Sequence, residues 1–207
     1  MDELSTYALI TLVTCATPGA AVLNTLSCAL NSTSRQAWRA PLGNVIGMLI
    51  MGAVTAAGLG GIIAANATLY EGLRLIGALL LVWFGVKSWK AGRINVMHAA
   101  RVHHAADKDP HVMRNAVLLQ ATNPMLIVFL ISLLPQFLSA NDPQYVLHMS
   151  ELIGVFAAIC LCVHLAYSYT AVFARKMLSG PNFSVWLNRV SAILFWMLAA
   201  GVVRSLC

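Results

Sequence analysis

Apolar residues gather into six long stretches poor in charge, with short polar segments between them. They run Leu4–Leu30, Pro41–Ala65, Gly72–Trp89, Asn115–Ser139, Met149–Ala174 and Val185–Val203. About 20 apolar residues span a bilayer as a helix, so the pattern predicts six transmembrane helices. Two of the six carry an internal proline: Pro18 in Cys15-Ala16-Thr17-Pro18-Gly19, and Pro124 in Ala121-Thr122-Asn123-Pro124. Proline lacks an N–H and clashes with the preceding turn, so each is expected to break its helix. The prolines stand 106 residues apart, about half the chain. Broken hydrophobic segments at corresponding places in two halves point to the central binding site of a transporter.

Composition removes the soluble alternative. Of 207 residues, 59% are hydrophobic and 10% charged, against roughly 25% charged in an average soluble domain. So little polar surface cannot cover so large an apolar inventory. The expected class is an all-α integral membrane protein forming one domain over residues 1–207.

Charge placement sets the topology, because basic residues stay in cytoplasmic loops. With six spans and an outside N-terminus, eleven of the thirteen Lys and Arg fall inside, all but Arg74 and Arg204. Asp2, Glu3, Glu71, Asp142 and Glu151 fall outside, against Asp107 and Asp109 inside. One span more or fewer would scramble this separation, so both termini are expected outside. The acidic start Met1-Asp2-Glu3 is unlike the basic start of a cleavable signal, and the first segment is read as a permanent helix. The net charge of +6 follows from this loop placement and from contact with anionic lipid headgroups. It does not form a basic patch for nucleic acid.

The longest polar stretch, Ala91–Met113, separates spans three and four and contains His98, His103, His104 and His111. It reads as a cytoplasmic linker, with repeat one over about 1–92 and repeat two over about 114–207. Three spans per half insert the halves in opposite senses, which predicts two inverted three-helix repeats with helices one and four broken. Gly43 and Gly47 let another helix backbone approach span two closely, and Ala53, Ala57 and Gly61 continue small residues at the same spacing. That surface fits packing within the chain or the seam of a homodimer. Trp38, Trp83, Trp89 and Trp186 lie near predicted inner boundaries, where indole rings favour the interface.

The breaks carry the candidate chemistry. Thr17 and Asn123 are favoured N-cap residues, and proline is favoured at the first helical position. A second half-helix is therefore expected to begin at each proline. At about 1.5 Å per residue, Asn123 lies roughly 12 Å into span four, and Pro18 about 21 Å into span one. Spans one and four run in opposite directions, so the half-helix N-termini should face each other. Such ends carry unsatisfied N–H groups and partial positive charge, and they hold anions such as a substrate carboxylate.

No Asp or Glu lies well inside a span, whereas an organic cation in hydrocarbon needs a carboxylate partner. A small zwitterion suits this interior better. Thr17, Pro18, Gly19, Asn123 and Pro124 are expected to frame its carboxylate, with Asn24, Asn44 and Gln120 as further uncharged hydrogen-bonding groups. His164 is the residue within a span of the one side-chain type able to change charge near neutral pH. It shares a face of span five with Cys160 and Tyr167, and both proton coupling and an ordinary interhelical bond fit it. Cys160 and His164 make two soft ligands without a carboxylate, a weak metal site. No resident metal or cofactor is expected. The chain holds no Cys-x-x-Cys and no Gly-x-x-x-x-Gly-Lys-Ser/Thr, so neither thiol–disulfide exchange nor ATP hydrolysis is indicated. No constellation for an enzyme stands at one depth.

Thr17-Pro18-Gly19 in span one, Gly43 and Gly47 in span two, Asn123-Pro124 in span four and Leu134-Pro135-Gln136-Phe137 at its end resemble the lysine exporter/homoserine–threonine exporter (LysE/RhtB) family. The similarity covers nearly the whole chain. It implies a bacterial inner-membrane secondary transporter that exports amino acids or close derivatives, driven by the proton gradient. Export of a metal ion or other small solute is the alternative. Ala20 follows Gly19 where the family often has proline, and Met125 follows Pro124 where it commonly has Lys or Arg. Both departures fall beside the expected carboxylate site and bear on substrate choice.

Overall fold

A computed structural model describes residues 3–17, 19–31, 36–65, 67–90, 111–138, 142–173 and 181–206. Pro18 and most of the linker, residues 91–110, lie outside the described residues. Among the described residues, eight α-helices follow in chain order: α1 (Glu3–Ala16), α2 (Ala20–Asn31), α3 (Arg39–Ala65), α4 (Ala67–Lys90), α5 (Val112–Ala121), α6 (Pro124–Leu133), α7 (Tyr145–Phe173) and α8 (Pro181–Leu206). A 3-10 turn, Leu134–Phe137, extends α6.

Both predicted breaks are present. The axes of α1 and α2 differ by 58°, and those of α5 and α6 by 51°. Among the described residues, three helices are long and apolar enough to cross a membrane, or up to five spans if each bent pair is one. The sixth predicted segment lies within α8, whose 26 residues reach ~39 Å at 1.5 Å per residue.

The core forms where α1, α3, α4, α6, α7 and α8 meet, around Tyr7, Met48, Leu81, Phe129, Leu130, Phe156 and Phe195. The outer surface is strongly apolar, with Val54, Ile76, Leu79 and Met197 all more than half exposed. Exposed apolar area on this scale belongs against lipid. Trp38, Trp83, Trp89 and Trp186 are likewise exposed, and Lys87 stands over the Trp83 ring at 5.1 Å. An indole and a cation side by side suit a headgroup boundary.

Gly43 and Gly47 seat α3 directly on α5. A methyl group at Gly47 would lie 2.6 Å from the Val117 carbonyl oxygen and 2.9 Å from Gln120 Cβ, and one at Gly43 would strike the Met113 carbonyl. This pair therefore packs within the chain. Ala53 and Ala57 further along α3 are exposed, so the small-residue surface turns outward beyond Gly47.

Side chains tie the helices at several depths. Tyr7 Oη donates to Leu152 O at 2.9 Å, Tyr145 Oη to Ala56 O at 2.7 Å, and Gln136 Nε2 to Arg74 O at 3.2 Å. Each joins a side chain to the main chain of another helix, where little water competes for the bond.

Candidate functional site

The second break forms as local chemistry dictates. At the end of α5 the Thr122 hydroxyl turns back to Leu118 O at 2.7 Å. Asn123 is extended, at φ −71° and ψ 107°. Its Oδ1 accepts from Met125 N at 3.1 Å, and its carbonyl accepts the first bond of α6, from Ile127 N. Pro124 occupies the first helical position, where a missing N–H costs nothing.

The first break differs from the expectation for Thr17. Thr17 N donates to Val13 O at 3.0 Å and to Thr14 O at 3.1 Å, so this residue closes α1. Its hydroxyl donates to Val13 O at 2.7 Å and meets Ser191 Oγ of α8. Helix α2 starts at Ala20, and the Gly19 carbonyl accepts its first bond, from Leu23 N. The residue at the cap position is Gly19, because Val13 and Ser191 already engage the Thr17 hydroxyl.

Both half-helix beginnings line one cavity of about 70 Å³. A single water needs roughly 10–15 Å³ by this measure, so there is room for several waters or a small solute. Ala20, Ala21 and Val22 contribute the start of α2, and Asn123, Met125 and Leu126 the start of α6. Thr14, Thr17, Gly19, Gln120 and His164 add polar or open wall, while Phe129 and Phe156 make an apolar side. No Asp, Glu, Lys or Arg is buried among the described residues. The polarity of the cavity therefore comes from uncharged groups and from the positive ends of two helices.

Five predicted site residues, Thr17, Gly19, Gln120, Asn123 and His164, share this cavity. Three described ones stand off its wall. Pro124 is exposed and shapes the break. Asn24 is buried, accepts a bond from Cys28 Sγ at 3.7 Å and leaves Nδ2 without a partner. Asn44 lies one layer back, where its Nδ2 reaches Thr25 Oγ1 at 2.9 Å and His164 Nδ1 at 3.1 Å.

Sequence reasoning passed over Thr25 and the aromatic wall. A threonine inside a span carries no local signal, and Phe129 and Phe156 look like any core phenylalanine until their neighbours are known. Tyr167 was visible on the face of His164, but its bond to Ala16 O at 2.7 Å depends on tertiary packing. Cys15, Cys160 and His164 all border the cavity. Among the described residues, however, no three His, Cys, Asp or Glu side chains stand close enough to hold a metal ion.

The family profile of the LysE type translocator matches residues 12–206. The homoserine/homoserine lactone efflux protein of Salmonella typhimurium is 26% identical over 195 residues, covering 94% of this chain and 92% of that protein. An uncharacterized membrane protein of Vibrio cholerae is 27% identical over 194 residues, covering 91% and 90%. The leucine efflux protein of an Enterobacter species is 28% identical over 126 residues, covering 60% and 58%. No solved structure matches the chain.

Proposed function

The chain belongs to the LysE translocator family, and from that premise we propose that it exports a small zwitterionic amino acid or amino-acid derivative across the bacterial inner membrane. The cycle is alternating access around the paired half-helix ends, driven by protons. The observation that carries this reading is that the first turns of α2 and α6, from opposite halves of the chain, line the same cavity.

At that cavity the positive ends of α2 and α6, with the N–H groups of their first turns, receive the substrate carboxylate. Thr14 and Gln120 offer acceptors to the ammonium group, and His164 a donor to a side-chain hydroxyl. Phe129, Phe156 and Leu126 take the apolar part of the substrate. The relatives named as efflux proteins for homoserine, its lactone and leucine support an amino-acid-like cargo. Six spans in two inverted repeats, with both termini outside and basic loops inside, complete the architecture. Its apolar exterior contacts lipid, and the outward-turning Ala53 and Ala57 leave room for a homodimer.

Counterflow in proteoliposomes tests the reading. A panel of labelled amino acids should include at least one that accumulates, faster when a pH gradient is imposed. No uptake of any of them by folded protein sinks it.

A further inference from the structure

His164, which borders the substrate cavity, is also tied to Thr25 and Asn44 in a buried arrangement to which the transport reading gives no role. Its Nδ1 stands 2.8 Å from Thr25 Oγ1 on α2 and 3.1 Å from Asn44 Nδ2 on α3. Asn44 Nδ2 also reaches Thr25 Oγ1 at 2.9 Å and Ala21 O at 3.5 Å. His164 is 2% exposed, and Thr25 and Asn44 are fully buried.

An amide nitrogen donates only, so a ring nitrogen facing it must be bare. Read as a hydrogen bond, the Asn44–Nδ1 contact requires the Nε2–H tautomer of His164, with Nδ1 accepting. Asn44 Oδ1, meanwhile, is buried and has no partner. A buried acceptor left empty is costly, and it sits on the same carboxamide that blocks Nδ1. Oxygen and nitrogen of a carboxamide are nearly the same size, so a half-turn exchanges them without repacking.

We propose that His164, Thr25 and Asn44 form a proton-binding latch, in which a proton arriving at Nδ1 is held by the Asn44 oxygen after the carboxamide turns over. In the neutral state the Thr25 hydroxyl donates to Nδ1, one Asn44 N–H points between Nδ1 and Thr25 Oγ1, the other points to Ala21 O, and Oδ1 is the orphan. In the protonated state Oδ1 accepts from Nδ1–H and from the Thr25 hydroxyl, and Nδ2 becomes the orphan. Each state leaves one unpaired group, so the hydrogen-bond count favours neither, and the cost of burying the imidazolium charge sets the balance between them.

Among the described residues, no Asp, Glu, Lys or Arg lines the cavity beside His164. The titratable side chains that border the cavity beside His164 are Cys160 on its own helix and Cys15 on α1. Thr25 from α2, Asn44 from α3 and Gln120 from α5 are uncharged. The turn also releases Ala21 O in the first turn of α2, the half-helix start that faces the cavity. Proton occupancy thus acts on one of the two helix ends proposed to hold substrate. That consequence rests on the export reading, whereas the latch itself does not.

The test is nitrogen-15 NMR of histidine- and asparagine-labelled protein in lipid nanodiscs, with His164→Gln and Asn44→Asp used to assign the two signals. The expected result is a bare Nδ1 in the neutral form, and an Asn44 side-chain amide that shifts with the same midpoint as His164 on acidification. An Nδ1–H tautomer in the neutral form, or an Asn44 amide that ignores the titration, overturns the latch. Asn44→Asp offers acceptors only, so it should keep Nδ1 in its N–H form and abolish the pH dependence of counterflow. A variant with wild-type pH dependence removes the link to transport. Failure of wild-type protein to carry any amino acid would count against the export reading alone, because the NMR signals need no substrate.

Discussion

The Tyr167 hydroxyl donates to the main-chain carbonyl of Ala16 across 2.7 Å, at the residue where α1 ends. A broken helix leaves carbonyls without their usual donors, and in the membrane interior little water can replace them. Tyr167, 8% exposed, supplies the donor from α7. The break at the first half-helix is therefore held by a helix of the other half.

Tyr167→Phe should lower stability by about 1–3 kcal/mol, the cost of a buried acceptor left unsatisfied. Thermal unfolding in detergent, with Tyr169→Phe as the exposed control, checks it. Equal effects of the two would mean that the Ala16 carbonyl finds another donor.

Asn123 separates capping from cargo. Asn123→Leu removes the bond to Met125 N and should cost about 0.5–2 kcal/mol together with most transport. Asn123→Asp keeps an acceptor there and should hold stability near wild type. Its negative charge opposes a carboxylate at the same helix end, so counterflow should still fall at least tenfold. Full transport by Asn123→Asp would remove the substrate carboxylate from this position.

Gly47 and Gly58 share α3 and should respond in opposite directions. Gly47→Ala forces a methyl to 2.6 Å from the Val117 carbonyl and should destabilise by about 1–3 kcal/mol. At Gly58 an added methyl meets nothing within 4 Å, and alanine should gain up to about 1 kcal/mol of helix propensity. Melting temperatures of the two variants decide the point.

Asp142 opens α7. Its Oδ1 accepts from Gln144 N at 2.8 Å, and its Oδ2 pairs with His148 Nδ1 at 2.6 Å. The His148 bond, then the Gln144 N–H, hold its carboxyl below the ordinary carboxylate range. A carboxyl lowered on folding contributes stability above its unfolded value, and the contribution is lost as pH falls through the folded one. Asp142→Ala should therefore fray the first turn of α7 at pH 7, and the difference from wild type should vanish in strong acid. Amide exchange at Val146 and Leu147 across that range reads it.

The two breaks explain how far sequence reasoning reached. Asn123 was legible because its cap bond closes over two residues, to Met125, and no other helix takes its Oδ1. Thr17 has the same capping chemistry, yet its hydroxyl faces Ser191, 174 residues away. Likewise, the spacing of Gly43 and Gly47 announced a close helix contact but could not say whether α5 or a second copy supplied it. Asn24 and Asn44 are the same residue type in neighbouring spans. Only packing makes one the partner of His164 and leaves the other bonded within its own helix.

By itself the sequence determined the apolar spans, their interruption near Pro18 and Pro124, and the family, since burial in lipid and proline's missing N–H act over a few residues. Tertiary structure alone decided that the two half-helix starts share one cavity, that Phe129 and Phe156 wall it, and that Thr25 and Asn44 hold His164. Those relationships join residues from distant parts of the chain. Short-range propensity carries no information about which side chains helix packing will bring face to face.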